Sequence, residues 1–297
     1  MKFHWLLSFS MAVGSISAVS AASPVPTAPT GASPRAQLIV NRANAPWESQ
    51  QVQEPCIVVD PNNSSRLIML YSGVPASDRV SCSVGKAWAS TVDPLTWHEA
   101  KNNPVFNAAG GTAWDSRTLR LDSVLYLPEK KAFYIYYSAS QNPVQDHIGL
   151  AICPVGKNAY ESLVPERIKR FGNAPVLAPD PAAPYYEEMV SQGAVWRERG
   201  PAHGSWNWYM YYSYRGKDGI LPGIRLATSP DGKTWTKHFN AADPRGMGQI
   251  FPSTPKAYYE WHQISHVGHT YLLSIEVGIN HGERWRPVVK AADIRVE

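Results

Sequence analysis

Apolar residues in this chain come in short runs, each closed by Pro, Asn, Asp or Gly, and no stretch repeats them every three to four positions. That pattern predicts strands joined by turns rather than helices. The run from Trp114 to Ser138 holds the fullest unit: Trp114-Asp115-Ser116, an apolar strand, a polar break, and a second strand ending in Tyr137-Ser138. Copies begin at Trp47-Glu48-Ser49 and Tyr186-Glu187-Glu188, with second strands ending in Tyr71-Ser72 and Tyr212-Ser213. A more divergent copy starts at Tyr259-Glu260-Trp261 and continues through Tyr271-Leu272-Leu273-Ser274. The spacing is about 70 residues, an internal repeat.

The first three units predict four strands each and the fourth predicts three. In the first they are Cys56–Val59, Leu67–Tyr71, Val80–Ala89 and Thr96–Glu99; in the second, Val124–Leu127, Phe133–Tyr137, His147–Cys153 and Arg167–Phe171. The third unit gives Ala194–Arg197, Trp208–Tyr214, Gly223–Thr228 and Thr234–His238, and the fourth His262–Val267, Thr270–Val277 and Pro287–Ile294. Two further matches fix the register. Ala89–Trp97 aligns without a gap on Ala227–Trp235, and Asn103-Pro104-Val105-Phe106 matches Ala174-Pro175-Val176-Leu177. Asp231-Gly232 is a hairpin signal, and the Trp that follows reads as packing between sheets. Four-stranded antiparallel units repeated around an axis predict an all-β propeller. The visible units number four, and the orphan strand Gln37–Val40 suits closure of the ring.

Composition narrows the partners. The 297 residues are 44% hydrophobic and 18% charged with a net charge of +4, and no Lys/Arg run interleaves with aromatics. A nucleic-acid partner is therefore not expected. Eleven Trp and fifteen Tyr mostly serve as strand filler, and the remainder suit a sugar site, where a ring offers an apolar face and a polar edge. Met1-Lys2, the apolar Trp5–Val19 and Val19-Ser20-Ala21 read as a secretory signal over residues 1–22, too short to span a bilayer. Residues 23–36 read as a Pro/Ala/Thr linker and 37–297 as one propeller domain, so the chain is expected to be secreted or periplasmic, without a membrane anchor and monomeric. The predicted placement sets Cys56 and Cys82 two strands apart, roughly 10 Å, which favours buried free thiols over a disulfide.

The carboxylates are the candidate chemistry. Glu48, Asp115, Glu187 and Glu260 each follow a Trp or Tyr at equivalent points, and Glu54 and Asp122 stand close behind on the first strands. A single one of these reads as a solvated loop acid. A ring of them in a confined channel would repel, raising some pKa values and separating an acid from a base. Glycoside hydrolysis needs that division of roles. His262 and His266 lie i, i+4 on a predicted strand, about 13 Å apart, so no zinc site is expected.

The unit of acid-Pro, apolar strand, turn and strand ending Tyr-Ser, with Ser229-Pro230-Asp231-Gly232-Lys233-Thr234-Trp235 between strands three and four, resembles the five-bladed propeller glycosidases. These are glycoside hydrolase families 43 and 32 and relatives such as family 117, and the likeness runs from Trp47 to the C-terminus. It implies five blades where the visible repeats count four. It also implies that Glu54-Pro55, with Glu for the usual Asp, is base or nucleophile, and that Asp122, or its rival Asp115, tunes that group or holds the sugar. The blade-three acid is replaced here by Gln192-Gly193. The resemblance then leaves Glu187, Glu188, Glu260 or His262 as the acid, with Glu260 orienting His262, or a site that no longer hydrolyses. The expected substrate-binding residues are Trp47, Glu48, Trp114, Tyr186, Gln192, Tyr259 and Trp261. No cofactor is required, and the likeness allows a Ca2+ or Na+ in the channel. The expected activity is removal of terminal sugars from poly- or oligosaccharides, with inversion. A non-catalytic, lectin-like propeller is the alternative.

Overall fold

The computed structural model describes residues 45–77, 81–142, 145–182, 186–202, 204–216, 223–238, 257–267, 270–279 and 284–292, the last three by their backbone. Both the expected secretory leader and the expected strand Gln37–Val40 lie outside these residues.

Four antiparallel sheets form among the described residues. Sheet one is β1 (Gln51–Asp60), β2 (Asn63–Val74), β3 (Ser83–Ser90) and β4 (Asp93–Glu99). Sheet two is β5 (Thr118–Leu127), β6 (Ala132–Ser140), β7 (His147–Pro154) and β8 (Lys169–Arg170), with one helical turn, α1 (Ala159–Ser162), before β8. Sheet three is β9 (Glu187–Arg199), β10 (Trp206–Gly216), β11 (Gly223–Ser229) and β12 (Thr236–Lys237). Sheet four is β13 (Ala257–Val267), β14 (Thr270–Ile279) and β15 (Arg284–Ala292). In each sheet the strands stand in chain order, the up-and-down arrangement expected of a propeller blade. The two Pro-Val segments matched in sequence make the same isolated bridge, Val84↔Phe106 and Ile148↔Leu177.

The cores lie between successive sheets. Ile68, Leu70 and Val84 of sheet one meet Leu119, Leu121, Phe133 and Ile135 of sheet two. Leu127, Tyr134 and Leu150 of sheet two meet Val190, Val195, Trp208 and Met210 of sheet three. Sheet two is thus covered on both faces, and all nine residues of β6 are buried. That explains its near-continuous apolar run, which a half-exposed strand would not carry. Trp235 sits edge-on to Tyr136 of sheet two, the inter-sheet role its place after the Asp-Gly turn implied. Cys82 and Cys153 are buried and Cys56 half-buried, and all three are free thiols.

Trp47 and Trp114 pack against glycines. A Cβ on Gly85 would stand 2.4 Å from Trp47 Cη2, and one on Gly149 would stand 2.8 Å from Trp114 Cη2 and 2.4 Å from Tyr137 Cζ. Gly85 and Gly149 occupy one register position, opposite Tyr71 and Tyr137. In sheet three the same position, opposite Tyr212, is Arg225. Its guanidinium lies 3.7 Å from the Tyr214 ring centroid, and Tyr186, aligned in sequence with the two Trp residues, is exposed. Gly for Arg and Trp for Tyr are therefore one paired exchange. Gly149→Ala is expected to lower unfolding stability by about 1–3 kcal/mol through overpacking, measured by denaturant titration, whereas the same change at exposed-turn Gly110, which has open space but positive φ, should cost about 1 kcal/mol.

Candidate active site

The second strand of each sheet carries Tyr next to Ser, and adjacent strand residues point to opposite faces. On one face the tyrosine hydroxyls reach the aromatic–acid carboxylates. Tyr71 donates to Glu48 at 3.0 Å, Tyr137 to Asp115 at 3.1 Å and Tyr212 to Glu187 at 3.0 Å. All three acids are almost fully buried. Asp115 also accepts from Arg170, and Glu187 pairs with Arg225 and Lys237. Arg170 and Lys237 hold the same place, each on the fourth strand beside the equivalent alanines Ala151 and Ala227. In sheet one Glu99 stands there, beside Ala87.

On the other face the serine hydroxyls reach a different set. Ser72 donates to Glu54 at 2.7 Å, Ser138 to Asp122 at 2.8 Å, and Ser213 to the side-chain oxygen of Gln192 at 2.8 Å. Two of these hydroxyls also accept from the next sheet, Ser72 from the Leu121 N–H at 2.8 Å and Ser138 from the Gln192 N–H at 2.7 Å. The Gly193 N–H adds a bond to Asp122 Oδ2 at 3.0 Å. Each serine therefore holds its own sheet's acid or amide, and Ser72 and Ser138 also stitch their sheets to the following one.

Glu54, Asp122 and Gln192 all sit where the first-strand register shifts. Glu54 and Gln192 have φ of 54° and 57°, a left-handed backbone that side chains other than glycine adopt at a cost of order 1–3 kcal/mol. A bulge with strain of that kind re-aims a side chain and recurs beside active sites.

The expectation that Glu48, Asp115 and Glu187 converge on a common channel is corrected. They lie across the sheet from Glu54 and Asp122, and buried hydrogen bonds and cations occupy them. Trp47 and Trp114 are likewise taken up by packing on glycine and tyrosine, which removes them from the expected sugar-binding set. Glu188 is exposed and lies 3.5 Å from Arg215. Tyr259, Glu260, Trp261 and His262 fall in β13, whose side chains lie outside the described residues. The backbone register pairs Glu260 with Glu276 and His262 with Ile275, and shifts between them. Glu260 thus stands beside the bulge, level with Gln53 and Ser191 rather than with Glu48.

Electrostatics set Glu54 and Asp122 apart. Burial pushes the Glu54 carboxyl above its usual range, opposed first by the Arg120 guanidinium and then by the Ser72 hydroxyl. Asp122 is pushed up to about 7, again by burial, against the Gly193 N–H and Ser138 hydroxyl and with Glu54 adding repulsion. Arg120 is held by buried Asp146, whose carbonyl accepts from the Val190 N–H of sheet three. Sequence reading missed Arg120 and Asp146 because neither belongs to the repeated pattern. It did notice the Tyr-Ser pairs, but not their contacts. Cys56, next to this pair, donates weakly to the Asp122 carbonyl, and burial raises its thiol well above the usual range, so it is not a nucleophile. Among the described residues no cluster of three His, Cys, Asp or Glu is arranged to hold a metal.

Curled antiparallel sheets whose strands stand in chain order are those of a β-propeller, the fold shared with the solved structures that the chain matches. Among solved structures, one titled as a glycoside hydrolase matches with a TM-score of 0.57 at 14% identity, over 82% of this chain and 70% of that one. A thermostable family-43 glycoside hydrolase matches at 0.55 and 14%, over 82% and 72%. Fructan 1-exohydrolase IIa from Cichorium intybus matches at 0.55 and 12%, over 83% of this chain and 45% of that one. These are five-bladed propeller families, and at such identities the likeness is one of fold. No family model matches the chain, and no curated protein does.

Two expectations follow. Glu187→Gln strips the charge partner from fully buried Arg225 and should lower stability by about 3–5 kcal/mol in chemical denaturation. Asp122 titrates near 7 when folded and near 3.8 when unfolded, so its contribution to stability is present below pH 4 and is lost as pH rises to 7. Asp122→Asn is therefore expected to gain stability relative to wild type between pH 4 and pH 8, by on the order of 1–3 kcal/mol, in melts across that range.

Proposed function

We propose that this chain is a glycoside hydrolase that removes terminal sugars from poly- or oligosaccharides by carboxylate catalysis. The observation that carries the proposal is the Glu54–Asp122 pair. Two half-buried carboxyls on neighbouring first strands share one electrostatic neighbourhood with Arg120, and both are pushed above the carboxylate range. Groups tuned in this way gather at functional sites, where one must hold a proton while the other stays ionised. The glycoside hydrolase folds matched by the chain support the same reading.

Arg120 divides the roles. It is the leading opposing charge at Glu54 and the last of the influences at Asp122, and on that ground Glu54 is assigned the ionised role. Ionised Glu54 is the group that activates water. Inverting stereochemistry, carried by the resemblance to families 43 and 117, places that water on the face of the sugar opposite the leaving oxygen. The leader-like residues 1–22 support action outside the cytoplasm.

Gln192 supports a second reading, a propeller that binds glycans without cleaving them, because an amide stands where the resembling families carry an acid. Turnover separates the two. The chain lacking residues 1–22 is expected to release one sugar from a panel of aryl glycosides and oligosaccharides, with the inverted anomer seen first by NMR. Glu54→Gln should cut kcat/KM by about 10²–10⁴-fold while still folding. Binding to a glycan array with no release from any substrate would sink the hydrolase and leave the lectin.

A further inference from the structure

We infer that Asp122, on sheet two, is the general acid of this site, in place of the side chain that Gln192 presents from sheet three. The inference rests on the hydrolase reading above and goes beyond it by naming the proton donor. An amide has no proton to give at neutral pH, and a carboxylic acid is required to assist departure of a sugar alkoxide.

The geometry puts Asp122 where sheet three would otherwise supply that acid. Its carboxyl reaches out of sheet two and lies against the backbone of residues 192 and 193. The Gly193 N–H meets Oδ2 at 3.0 Å, and the Ser138 hydroxyl lies 2.8 Å from both carboxyl oxygens while accepting the Gln192 N–H at 2.7 Å. Asp122 and the Gln192 backbone thus share one hydroxyl. Oδ2 receives the backbone donor besides the hydroxyl, so Oδ1, which meets the hydroxyl alone, is the oxygen assigned the proton. The Gln192 side chain turns its own oxygen to Ser213. Glu187 and Glu188, the two acids that open β9, are respectively sealed by Arg225 and Lys237 and drawn towards Arg215, so neither competes for the role.

The surrounding charges fit a proton held there. Facing Asp122 are Glu54 and the Cys56 thiol from sheet one and Arg120 from its own strand, with Asp146 clamped on Arg120. Burial and Glu54 favour the neutral acid, and Arg120 acts mainly on Glu54. In the reaction the proton on Oδ1 passes to the glycosidic oxygen as the bond from that oxygen to the anomeric carbon breaks. Glu54 takes a proton from water, whose oxygen bonds to the anomeric carbon. The sum is hydrolysis, with Asp122 left ionised and Glu54 protonated until they exchange with solvent.

Leaving-group dependence tests this. Take 2,4-dinitrophenyl and methyl glycosides of the sugar that the wild type releases. A dinitrophenolate departs without a proton and a methoxide does not. Asp122→Asn is expected to lose about 10²–10⁴-fold in kcat/KM on the methyl glycoside and less than about 10-fold on the dinitrophenyl one. Equal loss on both would overturn the assignment and make Asp122 a positioning residue. Should the variant not fold, the wild type alone decides. An alkaline limb near pH 7 for the methyl glycoside, absent for the dinitrophenyl one, supports the assignment, and the same limb for both contradicts it. A wild type that cleaves neither glycoside removes the hydrolase reading itself, an outcome distinct from the other two.

Discussion

Everything at this site depends on the alternation of two neighbouring residues on one strand. Tyr and Ser, side by side on β2, β6 and β10, send their hydroxyls to opposite faces of the sheet. The tyrosine side closes over a buried carboxylate and the serine side holds a residue at the first-strand bulge. Two sets of acids that look alike in sequence are thereby separated, one set into the framework and the other into a site.

The framework set behaves as buried charge usually does, paired wherever the structure brings a cation within reach. Glu187 with Arg225 and Lys237, and Asp115 with Arg170, are arrangements whose loss leaves an uncompensated ion, and that is why they read as structural. The site set behaves differently. Glu54 and Asp122 accept from serine hydroxyls and a backbone N–H, and their nearest cation, Arg120, is already engaged by Asp146. Neutralisation is incomplete there, and the carboxyls respond by holding protons at higher pH. Ser72 and Ser138 link this chemistry to the architecture, since the hydroxyl that holds the acid also accepts an N–H from the next sheet.

Much of the fold was legible. Turn clusters, the Asp231-Gly232 hairpin and the paired Pro-Val segments located the strands, and even the isolated bridges at Phe106 and Leu177 followed the repeat. The two faces were not legible, because a bulge breaks the count of two on which face assignment depends. Glu54 and Gln192, each at positive φ, sit at that break. Aligning units by the aromatic–acid dipeptide therefore set Glu260 level with Glu48, although the strand register puts it beside the β13 bulge. Ser72 and Ser138 were visible as half of a repeated pair, but their partners Leu121 and Gln192 lie 49 and 54 residues away. Arg120 and Asp146 carried no repeat signal at all.

The measurement that bears most directly on this account is a carboxyl 13C NMR titration of the chain labelled at Asp and Glu, with assignments from Asp122→Asn and Glu54→Gln. The account predicts two coupled titrations displaced above the usual carboxylate range, one of them near pH 7, each shifting when the other group is removed. If Glu54 and Asp122 instead titrate independently below about pH 5, as solvated carboxylates do, the two do not form a shared acid–base site, and the division of acids between the two faces carries no chemistry.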